Sequence, residues 1–414
     1  MKKLLPLLFV MLVLAGCRVS SELSQQDLNA LYDPATRFTS IEGQAVHLND
    51  STTWLRLYLK LSDFSYEKTR AKPLPMARIM IHYRLTDNYE TNIILHRDSV
   101  YLTDSIYLNP ENIAHHDLYL PIKTQGEFLF SANITDLNNK KEASFFLVIN
   151  KGDMNFRENF NLSDEDGQPL FGDRIAEEQA FNIKSLVNEG PLLFGRFYQR
   201  QFPIALPPFA IDNTEPFDYD ADSTFKLDYQ KGNSGLLKLN KKGFYHFQTD
   251  TTNKHGITVF VTDPDFPRIS LPLHVLEPLR YITTTREFEQ LSTYQNPKLA
   301  VDSFWLAHAG LESRAKTLIS KYYNRVQEAN TLFSSYLEGW KTDRGMIYII
   351  FGPPNHVFRA TNIENWTYGE VSRPQSLRFS FVRVNNPFTN NDFSLMRNPQ
   401  YKEFWFNSVE VWRR

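Results

Sequence analysis

Between Thr52 and Ser62 the chain alternates. Leu55, Leu57, Leu59 and Leu61 share one parity; Trp54, Arg56, Tyr58 and Lys60 share the other. A period of two belongs to a strand with one face in a core and the other in water. Arg78–Leu85 repeats the pattern with Ile79, Ile81, Tyr83 and Leu85. Strand-like runs follow at Asn92–Leu95, Asp117–Ile122, Glu127–Ile134 and Ala143–Ile149, separated by turn residues such as Asn109-Pro110 and Asn138-Asn139. Short strands without helical periodicity predict a β-sandwich over 36–150. The charged, turn-rich stretch 151–172 marks a boundary. A second sandwich is expected over 160–275, from runs at Phe194–Phe202, Thr224–Tyr229, Gly235–Leu239, Phe244–Thr249 and Ile257–Thr262. Lys241-Lys242-Gly243 and Asn253-Lys254-His255-Gly256 read as its hairpin turns.

The period then changes. From Leu311 to Leu337 apolar residues recur at spacings of three and four, among them Ala315, Leu318, Tyr322, Val326, Ala329 and Phe333, the pattern of a long amphipathic helix. Glu287–Tyr294 and Pro297–His308 predict shorter helices before it, and Gly339 reads as a helix stop. Met346–Phe351 is a continuous apolar run closed by Gly352-Pro353-Pro354 and reads as a buried strand. Leu377–Val384 and Phe404–Trp412 read as further strands. The fold class is therefore multidomain: two all-β sandwich-like domains followed by a C-terminal α+β domain over 276–414.

The N-terminus carries a different signal. Lys2 and Lys3 precede the apolar run Leu4–Leu14, which is shorter than the roughly 20 residues needed to span a bilayer and has the length of a signal-peptide core. It ends in Leu14-Ala15-Gly16-Cys17, which resembles the lipobox of bacterial lipoproteins. The resemblance implies that 1–16 is a signal peptide, that cleavage follows Gly16, and that the Cys17 thiol carries a diacylglyceride, palmitate-type anchor. Two acyl chains give stable membrane attachment where one is marginal. Residues 17–35 are polar and are expected to form a lipidated tether. Arg18 is not the aspartate associated with inner-membrane retention. The expected location is thus the outer membrane on its periplasmic face, with the cell surface as the alternative. Cys17 is the single cysteine, so a lipidated Cys17 leaves no disulfide, thiolate nucleophile or cysteine zinc site.

After the long helix comes Gly339-Trp340-Lys341-Thr342-Asp343-Arg344-Gly345. With Gly352-Pro353-Pro354 it resembles the GWxTD family of bacterial envelope proteins. Phe304-Trp305, Tyr322-Tyr323-Asn324-Arg325-Val326, Ala329-Asn330, Trp366-Thr367-Tyr368 and Trp412-Arg413-Arg414 support the match over 276–414; Leu206-Pro207-Pro208-Phe209 extends it loosely to 160–275. The resemblance implies an envelope location and no agreed activity. Asn355 departs from the acidic residue expected after the two prolines. Two accounts of the motif remain open. In one, Thr342 and Asp343 bond to nearby backbone N–H groups, Gly345 permits a tight turn into a strand, and Trp340 closes the core. In the other, Trp340, Thr342, Asp343, Arg344, Asn355, Trp366 and Tyr368 flank a ligand groove, with Asp343 and Arg344 as a charged pair.

Composition narrows the rest. Of 414 residues, 45 are Lys or Arg and 47 Asp or Glu, for a net charge of −2. That balance lacks the basic field of a nucleic-acid binder. No HExxH, GxGxxG, GxxxxGK or GxSxG occurs, and no cofactor is expected. Adjacent His115 and His116 would point to opposite faces of a strand. Asp218, Asp220 and Asp222 alternate as calcium ligands do, but Ser223 and Tyr229 stand where an EF-hand needs glycine and glutamate. The leading expectation is a membrane-anchored, non-catalytic scaffold or binding component whose partner is an envelope protein or glycan. The alternatives are a hydrolase on peptidoglycan, glycan or peptide built around Asp343 and Arg344, and a calcium- or ligand-dependent adhesin.

Overall fold

The computed structural model describes residues 22–414 apart from 70–71, 92, 106–112, 171, 187–189, 201, 212–216 and 374. The leader, Cys17, Asn92 and the Asn109-Pro110 turn lie outside the described residues. Alternation does in the first region what its period dictates. The strands are β1 (Ile41–His47), β2 (Thr53–Lys60), β3 (Glu67–Thr69), β4 (Lys72–Thr86), β5 (Ile94–Asp104), β6 (Ile113–Leu120), β7 (Gly126–Asp136) and β8 (Glu142–Lys151). One sheet has the order β1-β2-β6; the other runs β4-β7-β8, with β5 and β3 on the far side of β4. Leu55, Leu57 and Leu59 of the first sheet meet Ile79, Ile81, Leu85, Phe130 and Ile134 of the second in one buried core.

The second β-rich region contains β9 (Asn161–Ser163), β10 (Arg174–Ala176), β11 (Ala180–Lys184), β12 (Leu192–Tyr198), β13 (Ser223–Asp228), β14 (Leu237–Lys238), β15 (Gly243–Gln248) and β16 (Ile257–Thr262). A sheet of order β10-β16-β15-β12-β13 packs on β14-β11-β9 around Phe181, Leu193, Tyr229, Phe247 and Val259. β10 joins β16 in parallel; the other pairings are antiparallel. Asn253–Gly256 is the hairpin between β15 and β16. Lys241-Lys242-Gly243 is not a hairpin turn: it carries the chain from β14 in one sheet to β15 in the other.

The C-terminal region is built on helices α1 (Pro272–Leu276), α2 (Thr285–Ser292), α3 (Pro297–Ala309), α4 (Glu312–Phe333), α5 (Asp343–Phe351) and α6 (Tyr401–Trp412). They pack with an antiparallel meander of β17 (His356–Arg359), β18 (Ile363–Tyr368), β19 (Leu377–Arg383) and β20 (Phe393–Leu395). Two expected strands are helices. Met346–Phe351 belongs to α5, whose residues 344–350 are all buried; a segment apolar all round carries no period that separates strand from helix. Phe404–Trp412 belongs to α6, which buries Trp405, Val409 and Trp412 at spacings of four and three.

The expected tether also ends early. Leu28 and Tyr32 are buried in the core of the C-terminal module, among Phe333, Tyr348 and Trp366, and Leu23 packs with Tyr89 and Leu129 of the first sandwich. Residues 22–37 thus form a strap between the two. Leu28 N–H donates to Val357 O at 2.8 Å, and Arg37 pairs with Glu328 at 2.6 Å. An aromatic joint links the second sandwich to the C-terminal module: Phe388 packs on Tyr198, Phe244 and Phe260, with Tyr198 stacked on Phe244 at 4.7 Å. Between the sandwiches, Asn155 Oδ1 accepts from Thr249 N–H at 2.9 Å.

Candidate functional site

Helix α4 ends at Phe333, so Gly339 is not its stop. Gly339 opens a short 3₁₀ turn, Gly339–Lys341, laid against the α4 backbone. A Cβ on Gly339 would lie 1.9 Å from Ala329 O, and one on Gly345 would lie 1.9 Å from Gly339 O. The two glycines are required because three stretches of backbone touch there. Thr342 caps α5: its hydroxyl accepts Gly345 N–H at 3.1 Å and donates to Gly339 O at 2.7 Å. Trp340 is buried, with its indole N–H on Glu338 at 2.5 Å and its carbonyl accepting Tyr281 O–H at 3.0 Å.

Asp343 and Arg344 do not pair with each other. One carboxylate oxygen of Asp343 lies 2.6 Å from Arg397 Nη2, and the other accepts Leu395 N–H at 2.8 Å, pinning α5 to β20. Arg344 points the other way and is 2 % exposed. It lies 4.1 Å over the Phe393 ring, donates to Asn391 O at 3.0 Å, and stands 3.5 Å from Glu364. Glu364, fully buried, is the hub. It lies 2.9 Å from Arg359 and accepts the Trp366 indole N–H at 2.7 Å and the Tyr32 hydroxyl at 2.8 Å. Burial pushes its carboxyl upward, but Arg359, Arg344 and the two donors outweigh it and hold it below the ordinary value.

The remaining expected site residues are also structural ties. Tyr368 O–H donates to Gly352 O at 2.7 Å. Gly352 is backed by Arg325, which closes the C-terminal end of α5 through Ile349 O at 2.8 Å. Asn355 is exposed; its side chain accepts Gly369 N–H at 2.8 Å and its carbonyl accepts from Asn29 at 3.0 Å. Structure brings Arg344 and Trp366 together at Glu364; Trp340, Thr342, Arg344 and Trp366 are buried, while Asp343, Asn355 and Tyr368 are tied at separate places. Glu364, Tyr32, Arg359 and Arg397 were not foreseen. Glu364 falls in step with Trp366 along β18, a charge on a buried parity, which was the one available sign.

At the acidic turn, Arg200 occupies the position a cation would take. It pairs with Asp218 at 3.0 Å and lies 3.8 Å from Asp222, whose carboxylate also accepts two backbone N–H groups. Asp220 contributes its carbonyl to the same guanidinium. Among the described residues no cluster of histidine, cysteine and carboxylate side chains is arranged to hold a metal ion.

The large cavity is elsewhere. A cleft of about 1840 Å³ opens where the two sandwiches, the strap and the C-terminal module meet. None of the seven expected ligand-binding residues lines it. Its walls include the outer face of β4, β5, β7 and β8, the 385–391 loop, and Glu42, Asp173 and Arg174. Its place among the cleft walls, then the nearby Asp173, pushes the carboxyl of the surface-exposed Glu42 above its ordinary value against the pull of Arg174. Arg174 lies between the Phe260 and Phe266 rings and donates to Ser335 O at 3.2 Å.

No curated protein matches this sequence. Two solved structures are similar in part, each at 8% identity, a TM-score of 0.19 and over 54% of this chain. One is red sea bream transglutaminase, of which the similarity covers 31%; the other is the C-terminal domain of the Streptococcus pyogenes antigen I/II-family protein AspA, of which it covers 98%. Scores this low carry no argument about fold or activity. The sequence comparison is specific where the buried motif lies: residues 243–414, from β15 to the end of the chain, match the family model of the GWxTD domain.

Proposed function

We propose that this chain is a lipid-anchored component of the bacterial envelope that binds another envelope molecule without transforming it. The observation that carries the reading is the fate of the motif's polar groups. Asp343 is committed to Arg397 and Leu395, Arg344 to Glu364 and Asn391, and Thr342 to a helix cap. Groups held this way build a fold; a hydrolytic site would need an acid or nucleophile facing a substrate. The binding surface is the cleft at the junction of the three parts.

Anchoring through Cys17 is supported by the leader and the small residues before the cysteine. With the strap docked from Glu22 onward, the chain between Cys17 and the folded body reaches at most roughly 18 Å. Outer-membrane sorting with the body on the periplasmic side completes the reading. Labelling cells with a palmitate analogue tests it: the wild type takes up label and sediments with membranes, whereas Cys17→Ser does neither. An unlabelled wild type removes the anchor. Crosslinked affinity purification from membranes then tests binding, and failure to recover any reproducible envelope partner removes the scaffold.

A further inference from the structure

One wall of the cleft is the outer face of the larger sheet of the first sandwich. Its register aligns polar side chains in two rows. Arg84 on β4 lies opposite Arg97 on β5 and Ser131 on β7; next to it, His82 lies opposite Ser99 and Asn133. Alternate residues of a strand share a face, so these six side chains form one polar surface. Two arginines in directly opposed positions repel unless an anion lies between them. Among the described residues neither makes an ion pair, and Arg84 Nε donates only to Ser131 Oγ, at 3.3 Å. Burial pulls the Arg84 guanidinium below its ordinary value with nothing acidic to offset it. Of the acids nearby in the cleft, Glu142 accepts from Asn133 of this wall at 3.2 Å, Glu127 pairs with Arg383 at 3.1 Å, and Asp98, next to Arg97, falls on the opposite parity of β5.

We propose that this wall binds an anionic oligosaccharide. Arg84 and Arg97 hold one carboxylate or phosphate group between them, and Ser99, Ser131 and Asn133 take neighbouring sugar hydroxyls. Planar guanidinium forks match such anions in bidentate fashion. The cleft exceeds the roughly 300–1,000 Å³ of a small-molecule pocket, which suits an oligomer. An extended peptide would add to a sheet edge through its backbone; the opposed arginines lie on a sheet face, which offers side chains. The inference rests on reading the chain as a binding component and names its ligand class.

Calorimetric titration of the full-length protein in detergent tests it, with tetragalacturonate and phosphorylated maltotetraose as probes and the galacturonate methyl ester and hexaglutamate as comparisons. At least one anionic sugar binds, at least tenfold more tightly than the ester and than hexaglutamate. Arg84→Gln/Arg97→Gln weakens it at least tenfold without lowering the melting temperature, because the change relieves repulsion. Arg97→Gln alone, at an exposed position, shifts affinity the same way. Binding of neither anionic sugar, equal binding of the ester, preference for hexaglutamate, or unchanged affinity in the double variant overturns the proposal. These results are separable from the anchoring test, since palmitate labelling and calorimetry can fail independently.

Discussion

A side chain on Gly339 or Gly345 has no room, because each ideal Cβ falls within 1.9 Å of a backbone carbonyl oxygen. Backbone cannot move aside as a flexible side chain can. Gly345→Ala should therefore cost at least about 2 kcal/mol in urea unfolding. Gly310→Ala is the comparison: its φ is +71° with nothing within 4 Å of the added atom, so strain alone should cost about 1 kcal/mol. Equal losses at the two positions would refute the packing argument. Glu364→Gln leaves the buried Arg344 and the half-buried Arg359 without their counter-charge and should cost roughly 3–5 kcal/mol. A loss below 1 kcal/mol would mean that Asn391 and Tyr32 suffice to hold the arginines. Glycine, tryptophan and threonine could be recognised in sequence as parts of a turn. That Asp343 reaches Arg397 and Arg344 reaches Glu364 could not, because adjacent charges in a chain give no direction for their side chains.

Elements with a clear period were legible, and those without one were not. β2 and β4 alternate, and α4 repeats at three and four. Met346–Phe351 has no polar position to break the tie, and its Ile347, Ile349 and Ile350 favour a strand. The Thr342 cap and the fit of Gly345 against Gly339 settle it as helix. In α6, Phe404 and Phe406, and again Val409 and Val411, stand two apart as in a strand, yet Phe404, Phe406 and Val411 are exposed. Helix α2 shows a capping device that sequence does announce: Thr284 and Glu287 form a reciprocal box, and Arg413 after α6 lies 2.6 Å from the same glutamate. The Arg413 hydrogen bond, against burial, brings the Glu287 carboxyl down to about 2. Because the folded value lies below the unfolded one, roughly 4.3, its stabilisation is complete above that pH and disappears as pH falls toward 2. Glu287→Gln should be less stable than wild type at pH 5.5 and equal to it near pH 2. Equal urea midpoints at pH 5.5 would contradict this coupling of α2 to the C-terminus.

At the scale of the molecule, the family match begins at residue 243, but the module it covers is completed by residues from the other end of the chain. Tyr32 hydrogen-bonds Glu364 across 332 positions of sequence, and its carbonyl accepts the Tyr348 hydroxyl at 2.9 Å. Asp27 receives Val357 N–H at 2.9 Å. Nothing in the largely polar run 17–35 announces this, since its few apolar residues, Leu28 and Tyr32 among them, are too scattered to set a sustained period. The strap also crosses the first sandwich at Tyr89, so it touches two walls of the cleft. Tyr32→Ala should remove both the packing against Phe333 and Trp366 and the hydroxyl that helps hold Glu364, at about 3–5 kcal/mol. The loss is local in origin, so native-state hydrogen exchange is the informative measurement. Amides of β17, β18 and α5 should lose protection while those of β4 and β7 keep theirs. If both sets weaken together, the strap is part of one cooperative unit spanning the chain; if neither does, Tyr32 is dispensable and the C-terminal module closes its core without the N-terminal segment.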